Sequence, residues 1–285
     1  MTVIEAFAEF VCSFEPPEKA KIAARNCLLD WYGAALAGSI LPPATLLRTA
    51  FPGTGSARLL PDGDTRDPRT AALINATASH IVEVDDIYRS GLYHPGVVTI
   101  PAALALGEDR NISGAQLIHA IVAGYEVSNG IARALNPAHY EHWHTTGTVG
   151  HFGAVVAGSV ALGLNPSQTA HAMSTVSTFA AGLRHAFSSD AMSKPLHAGR
   201  AAEGGVAATL MSEAGVTGIP DMLEGVRGFG VAMSEAVDWD TAIGTLGAEW
   251  TIEETTIKAH ACCGHNFAAL DAVRHLMSEH SLSAL

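Results

Sequence analysis

Three ionisable side chains stand directly before stretches that read as helices: His94 in YHPGVVTIPAALALGE, His144 in HWHTTGTVGHFGAVVAG and Lys194 in SKPLHAGRAAEGG. A helix N-terminus presents unpaired N–H groups and the positive end of a dipole, so a site built from several such ends would hold carboxylates. Pro195 fits the first position of its helix, and His197 and Arg200, three and six residues after Lys194, are expected on or near one face with it. His265, just after Gly264, has the same placement before the last predicted helix. The segment HIVEVDDIYRSGLYHPG sets Glu83, Asp85 and Asp86 within four residues of one another, a short loop before His94. Carboxylate and imidazole brought together by a loop can serve as general base and general acid. The plainer alternatives are a solvated acidic turn and isolated surface His and Lys residues.

Helices must do the positioning. Lys19 to Ala37 predicts a first long helix, ended by Gly38, with Ile22, Leu28, Leu29 and Tyr32 spaced to face one side. A turn cluster at 59–68 is followed by a helix from Arg69 to about Val82, then by helices at about 97–108, 113–135, 147–164, 166–182 and 195–214. Sustained β alternation is scarce, so the chain reads as all-α up to about residue 245. Glycine inside a helix costs about 1 kcal/mol against alanine, so Gly147, Gly150, Gly153 and Gly158 predict close helix–helix approach. After them TIEETTIK, with Lys258 at its end, reads as β-like, and a cysteine-rich turn leads into a helix from about Phe267.

Other chemistries find little support. His94, His142, His144, Cys262, Cys263 and His265 are types that bind metals, but no pair shows a spacing such as CxxC or HExxH, so no metal is expected. GxGxxG after a strand, GxxxxGK[ST] and GxSxG are missing, which argues against nucleotide binding and serine hydrolysis. Vicinal cysteines are poor disulfide partners, and Cys262-Cys263 is assigned a structural place in a turn. With 16 Lys+Arg against 28 Asp+Glu among 285 residues, the net charge of −12 argues against a nucleic-acid partner. The 48% apolar content and mean hydropathy of +0.22 imply a thick helical core. Val149 to Leu164, the most apolar window, is interrupted by His151 and too short for a membrane span. An acidic N-terminus without a signal-peptide pattern, together with the cysteine usage, predicts a reducing, cytoplasmic setting.

These motifs carry a resemblance. Asn75-Ala76, His80, Glu83-Val84-Asp85-Asp86, His94-Pro95, GYEV at 124–127, HTTGTVGHFGA at 144–154, KPLHAGRAAEGG at 194–205 and CCGH at 262–265 together resemble the MmgE/PrpD family. That family includes 2-methylcitrate dehydratase, cis-aconitate decarboxylase and iminodisuccinate epimerase. The resemblance implies a large helical domain, here 1–248, and a smaller α+β domain that closes over the site, of which 249–285 would be the beginning. It also implies a homodimer, no metal or organic cofactor, and catalytic roles for Glu83, His94, His144 and Lys194. Asp85, Asp86, His197, Arg200, Lys258 and His265 are then expected to bind substrate. The family commonly has Asp at the position of Glu83, and decarboxylase members carry threonine where this chain has Ile87.

The expected function is therefore a lyase acting on a small di- or tricarboxylate, a hydro-lyase resembling 2-methylcitrate dehydratase. Loss of water β to a carboxylate needs a base for the α-proton, cations or N–H groups for the enediolate-like charge, and an acid for the departing hydroxyl. An epimerase of the same family and a non-catalytic helical subunit are the alternatives.

Overall fold

Alanine-rich segments bounded by capping residues fold into helices, and the computed structural model, which describes residues 1–280, has thirteen among those residues. α1 (Val3–Ser13), α2 (Glu18–Ser39), α3 (Ala44–Ala50) and α4 (Pro68–Ser79) precede the acidic loop. α5 (Gly96–Arg110), α6 (Gly114–Leu135), α7 (Thr145–Thr148), α8 (Gly150–Leu162), α9 (Pro166–Ser177) and α10 (Ser193–Glu213) follow it. α11 (Phe229–Met233), α12 (Trp239–Gly244) and α13 (Phe267–Glu279) come last. Thr2, Ser113 and Asn165 close capping boxes with Glu5, Gln116 and Gln168, while Asp67 accepts from the amides of Arg69 and Thr70 to start α4.

α8 is apolar on every side, and a helix without a polar face belongs in the interior. It packs against α5, α6, α9 and α10, with α4 wedged between α10, α5 and α2. Its glycines permit that closeness: a methyl group at Gly153 would lie 2.5 Å from Thr99 Oγ1, and one at Gly158 2.6 Å from Thr209 Oγ1. This tight centre fixes the N-terminal ends of α5, α7 and α10, which carry the three side chains singled out above.

The all-α reading holds, with one small addition. β1 (Ala57–Arg58) and β2 (Thr65–Arg66) pair antiparallel, Ala57 opposite Arg66, inside a stretch read as loop and turn. The β-like reading of TIEETTIK is corrected: Thr251–Glu254 is a 3₁₀ turn, and only Thr256 pairs in β fashion, with Ile87. The predicted apolar face of α2 is also corrected. Ile22, Leu29 and Tyr32 are 48%, 74% and 43% exposed, and the buried stripe is Ala20, Ala24, Cys27, Trp31, Ala34, Ala35 and Gly38. Small side chains win that face because they let α2 lie against α4, where a methyl on Gly38 would overlap the Ala78 carbonyl. No helix among the described residues is long and apolar enough to cross a membrane.

Candidate active site

The acidic loop begins where α4 stops at its C-cap, His80. Glu83 adopts φ 58°, the left-handed region a non-glycine residue rarely occupies, and this turn sends Asp85 back beneath His80. Tyr88 and Tyr93 exchange backbone hydrogen bonds of 2.8 and 3.2 Å, closing the excursion and delivering His94 to the start of α5. His80 and Asp85 are fully buried, and the Asp85 carboxylate accepts from His80 Nδ1 at 2.8 Å and stands 3.0 Å from His94 Nδ1, within ion-pair distance. His94 Nδ1 also lies 2.7 Å from the Asp86 carbonyl. Carbonyl and carboxylate oxygens only accept, so Nδ1 carries the hydrogen, and in neutral His94 the basic nitrogen is Nε2.

Lys258 enters from a distant part of the chain. Glu126 on α6 accepts from the backbone amides of Thr251 and Ile252 at 2.8 and 2.9 Å, which pins the 3₁₀ turn. Ile87 and Thr256 then exchange backbone hydrogen bonds, both 2.9 Å, laying the strand segment beside the acidic loop. Lys258 Nζ donates to the Glu83 carbonyl at 3.0 Å and stands 3.6 Å from Asp85 Oδ1. Lys194, in the first turn of α10, is ion-paired and hydrogen-bonded to the Glu83 side chain, and its ammonium sits 5.6 Å from the centroid of the Phe187 ring.

These groups open on one cavity of about 850 Å³, lined by His80, Glu83, His94, His144, Lys194 and Lys258, with Ile87, Arg89, Tyr140, Phe187, Cys263 and His265 among the other residues of its walls. Burial works to raise the Asp85 carboxyl, but His94 and His80 outweigh it and hold it well below the usual range. Glu83 follows the same pattern: burial pushes up, and Lys194 and His80 bring the carboxyl below its ordinary value. His144 is kept neutral, well below the usual imidazole range, by burial and then by its histidine neighbours and Lys194. Among the described residues no group of three or more His, Cys, Asp or Glu is arranged to hold a metal ion. The arrangement can bind anionic oxygen through two lysines and exchange protons through imidazoles.

Glu83, His94, His144, Lys194, Lys258 and His265 therefore meet, although they are far apart in sequence. Other expected site residues sit elsewhere. Asp85 and Asp86 do not line the cavity but lie beneath its floor, Asp86 held by Tyr125 Oη at 2.6 Å and the Gly96 amide at 3.0 Å. Arg200 turns away to pair with Glu203 beside a second cavity. Six residues span about one and two-thirds helical turns, which carries Arg200 off the face of Lys194. His197 also lines that second cavity, and it reaches the first only through His144, Nδ1 to Nδ1 at 3.0 Å. Pro195 is the third residue of α10 rather than the first. Cys263 is exposed at the cavity wall with Sγ 3.2 Å from His265 Nδ1, not packed within a turn, and both vicinal cysteines are free. His80 was missing from the expected site; its position five residues before Asp85 was the available signal.

A family profile described as the MmgE/PrpD N-terminal domain matches residues 5–242. The cis-aconitate decarboxylase-like protein oryM of Aspergillus oryzae is 26% identical over 272 residues, covering 89% of this chain and 56% of the relative. The cis-aconitate decarboxylase of Homo sapiens is 28% identical over 217 residues, covering 72% of this chain and 44% of the relative. The Mus musculus cis-aconitate decarboxylase has the same identity and coverage. The chain spans about half the length of these curated relatives. With most of its length matched by the family profile, and with the family's motifs converging on one cavity, this chain belongs to the MmgE/PrpD family.

Proposed function

We propose that the protein is a lyase for a small di- or tricarboxylate, working as a hydro-lyase of the 2-methylcitrate dehydratase kind. The carrying observation is the Asp85-oriented His94 facing the same cavity as Lys194 and Lys258. His94 Nε2 takes the proton from the carbon next to a carboxylate. Asp85 steadies the imidazolium that forms, as a buried carboxylate does in other histidine pairs. Lys194 and Lys258 hold the enediolate-like charge in a site already arranged for it. Neutral His144 donates its Nε2 proton to the departing hydroxyl. Ile87 in the cavity wall supports dehydration, since it stands where the resemblance places a threonine in decarboxylase members.

Decarboxylation is the second reading, favoured by the likeness to the cis-aconitate decarboxylase of Homo sapiens and the cis-aconitate decarboxylase-like protein oryM. Incubation with 2-methylcitrate and with cis-aconitate separates the two. Rising ultraviolet absorbance of an unsaturated acid without carbon dioxide supports the hydro-lyase, whereas carbon dioxide released from cis-aconitate replaces it with the decarboxylase. Deuterium uptake from solvent with neither product indicates the epimerase. We also propose a homodimer, with the exposed apolar side of α2 around Ile22, Leu29 and Tyr32 as its contact. A monomer by light scattering at micromolar concentration counts against that pairing.

A further inference from the structure

The second, outer cavity, about 770 Å³, neighbours the active cavity, sharing Ala186 with it, and is lined by His151, His185, His197, Arg200, Glu203 and Met211, among others. His197 lines this outer cavity alone, His144 lines the active cavity alone, and the two rings meet Nδ1 to Nδ1 at 3.0 Å. Among the described residues His197 Nε2 has no hydrogen-bond partner, while His144 is only 2% exposed. The packing around the pair leaves His197 little freedom. A methyl on Gly182, a residue at φ +140°, would come 3.4 Å from its ring, and one on Gly147 3.0 Å from its Cβ.

We propose that His197 is a proton relay, connecting the buried acid–base residue His144 to water in the outer cavity. The inference rests on the acid–base reading of His144 given above. Two facing Nδ1 atoms make a hydrogen bond only if one carries the hydrogen and the other is bare. Before reaction His197 Nδ1 donates to His144 Nδ1, and the His144 hydrogen is on Nε2, toward the substrate. When Nε2 gives its proton to the leaving hydroxyl, the bond from His197 Nδ1 to its hydrogen breaks and a bond to His144 Nδ1 forms. His197 Nε2 takes a proton from outer-cavity water in the same movement, leaving hydroxide in that cavity, so neither ring is left as an anion. The pair resets in the reverse direction. His144 Nε2 takes, through water in the emptied active cavity, the proton that His94 removed from the substrate, its Nδ1 proton returns to His197, and Nε2 of His197 gives its proton to the outer-cavity hydroxide.

The charged and titratable groups facing His197 fit a residue that passes protons rather than stores them. His144 and His80 lie on the active-cavity side, Lys194 is one turn earlier on α10, and Arg200 and Glu203 with His185 border the outer cavity. Burial, then His80 and Lys194, hold the His197 imidazolium below its usual range.

The test compares His197→Ala and His197→Gln in the protein, with turnover followed on 2-methylcitrate and cis-aconitate. Both variants are expected to lose about tenfold or more of kcat, a fraction of what loss of a general acid costs. Added imidazole should restore His197→Ala in proportion to its concentration. Glutamine keeps a hydrogen bond to His144 but cannot relay, so normal turnover in His197→Gln overturns the relay and leaves a positioning role. Loss of activity without imidazole rescue in a folded His197→Ala protein overturns it as well. A second readout needs no turnover: exchange of the His144 ring N–H with solvent, followed by NMR in protein with labelled histidine, should slow in His197→Gln. Unchanged exchange overturns the relay. Full turnover in His144→Gln would instead overturn the acid–base reading itself.

Discussion

Asp85 and Asp86 are neighbours in sequence, equally buried, and held in opposite ways. Asp85 faces His80, His94 and Lys258, and the two histidines keep its carboxyl well below the ordinary range despite burial. Asp86 receives only a tyrosine hydroxyl and one amide, and burial pushes its carboxyl up to about 6. Glu126 repeats the second pattern: two amides and the Thr251 hydroxyl hold it, and burial pushes it up to about 7. Dipoles can satisfy a carboxylate's geometry without compensating its charge in a dry interior, whereas cations do both. The cation-matched carboxylates border the cavity and belong to its chemistry. The dipole-matched ones act as latches, Asp86 tying the acidic loop to α5 and α6 and Glu126 tying the 251–252 turn to α6.

The largest effects are expected on the cation-matched side. Lys194→Ala should lower kcat/KM by about 10²–10³-fold, the scale of one lost preorganised electrostatic donor. Because Lys194 is the leading group that lowers the Glu83 carboxyl, the same variant should move Glu83 upward and shift the acid limb of the pH–rate profile to higher pH. A near-normal kcat/KM would end the charge-holding role. Asp85→Asn should cost about 10²-fold in kcat, less if the Asp86 carbonyl alone keeps His94 in its tautomer. Substrate binding should change little, because Asp85 lies below the cavity floor; a KM effect larger than the kcat effect would place it among direct ligands instead.

How far the site was legible follows from which contacts are local. His94, His144 and Lys194 are readable because proline, glycine and threonine mark the helix starts beside them. Arg200 is misplaced by counting residues without following the helix round, and His197 by treating nearness to Lys194 as membership of one cavity. His80 stands only among the family motifs with no role of its own: its place five residues before Asp85 signals a local contact, but the sharing of that carboxylate with His94 depends on the turn at Glu83. The contact that brings Lys258 in, Ile87 with Thr256, spans most of the chain and depends on Glu126 pinning a 3₁₀ turn where alternation suggested a strand. The α2 face is misread for a related reason: hydrophobic size marks Ile22, Leu29 and Tyr32, while the packing selects small residues. α1 is a different case, because Thr2 and Glu5 form a capping box in front of Ile4, Phe7, Ala8 and Val11 at helical spacing. That signal was present in the sequence.

On the dipole-matched side the expected losses are in stability. Glu126→Gln sets an amide donor against a backbone donor and should destabilise the fold by about 1–3 kcal/mol, with KM raised through the Lys258 segment. Its pH signature has a definite sign. The folded-state value of about 7 lies above the ordinary 4.5, so the contribution of Glu126 is full below the ordinary value and lost as pH rises through about 7. Asp86 behaves likewise between 3.8 and about 6. Asp85 and Glu83, shifted downward, contribute above their ordinary values and lose that contribution as acid protonates them. In urea unfolding from pH 5 to 8 the stability lost by Glu126→Gln should therefore shrink as pH rises through about 7, so that the two proteins differ in pH slope. An unchanged slope would mean that Glu126 is compensated by something other than dipoles.

The smallest effect expected is that of Tyr125→Phe, which removes the hydroxyl bonded to Asp86 and leaves the shape of the side chain. A lost hydrogen bond of this kind costs about 1–2 kcal/mol, and turnover should hold because the Asp86 carbonyl still receives His94 Nδ1 through the backbone. Tyr125 is the leading group opposing the upward push of burial on Asp86. Without it the Asp86 carboxyl should rise further, and the decline in stability should extend to higher pH than in the unaltered protein. This is where the two neighbouring aspartates can be told apart by one oxygen atom. A Tyr125→Phe protein that loses turnover as deeply as Asp85→Asn would show that Asp86 belongs to the catalytic side, and the division between charge-matched and dipole-matched carboxylates would fail at its closest pair.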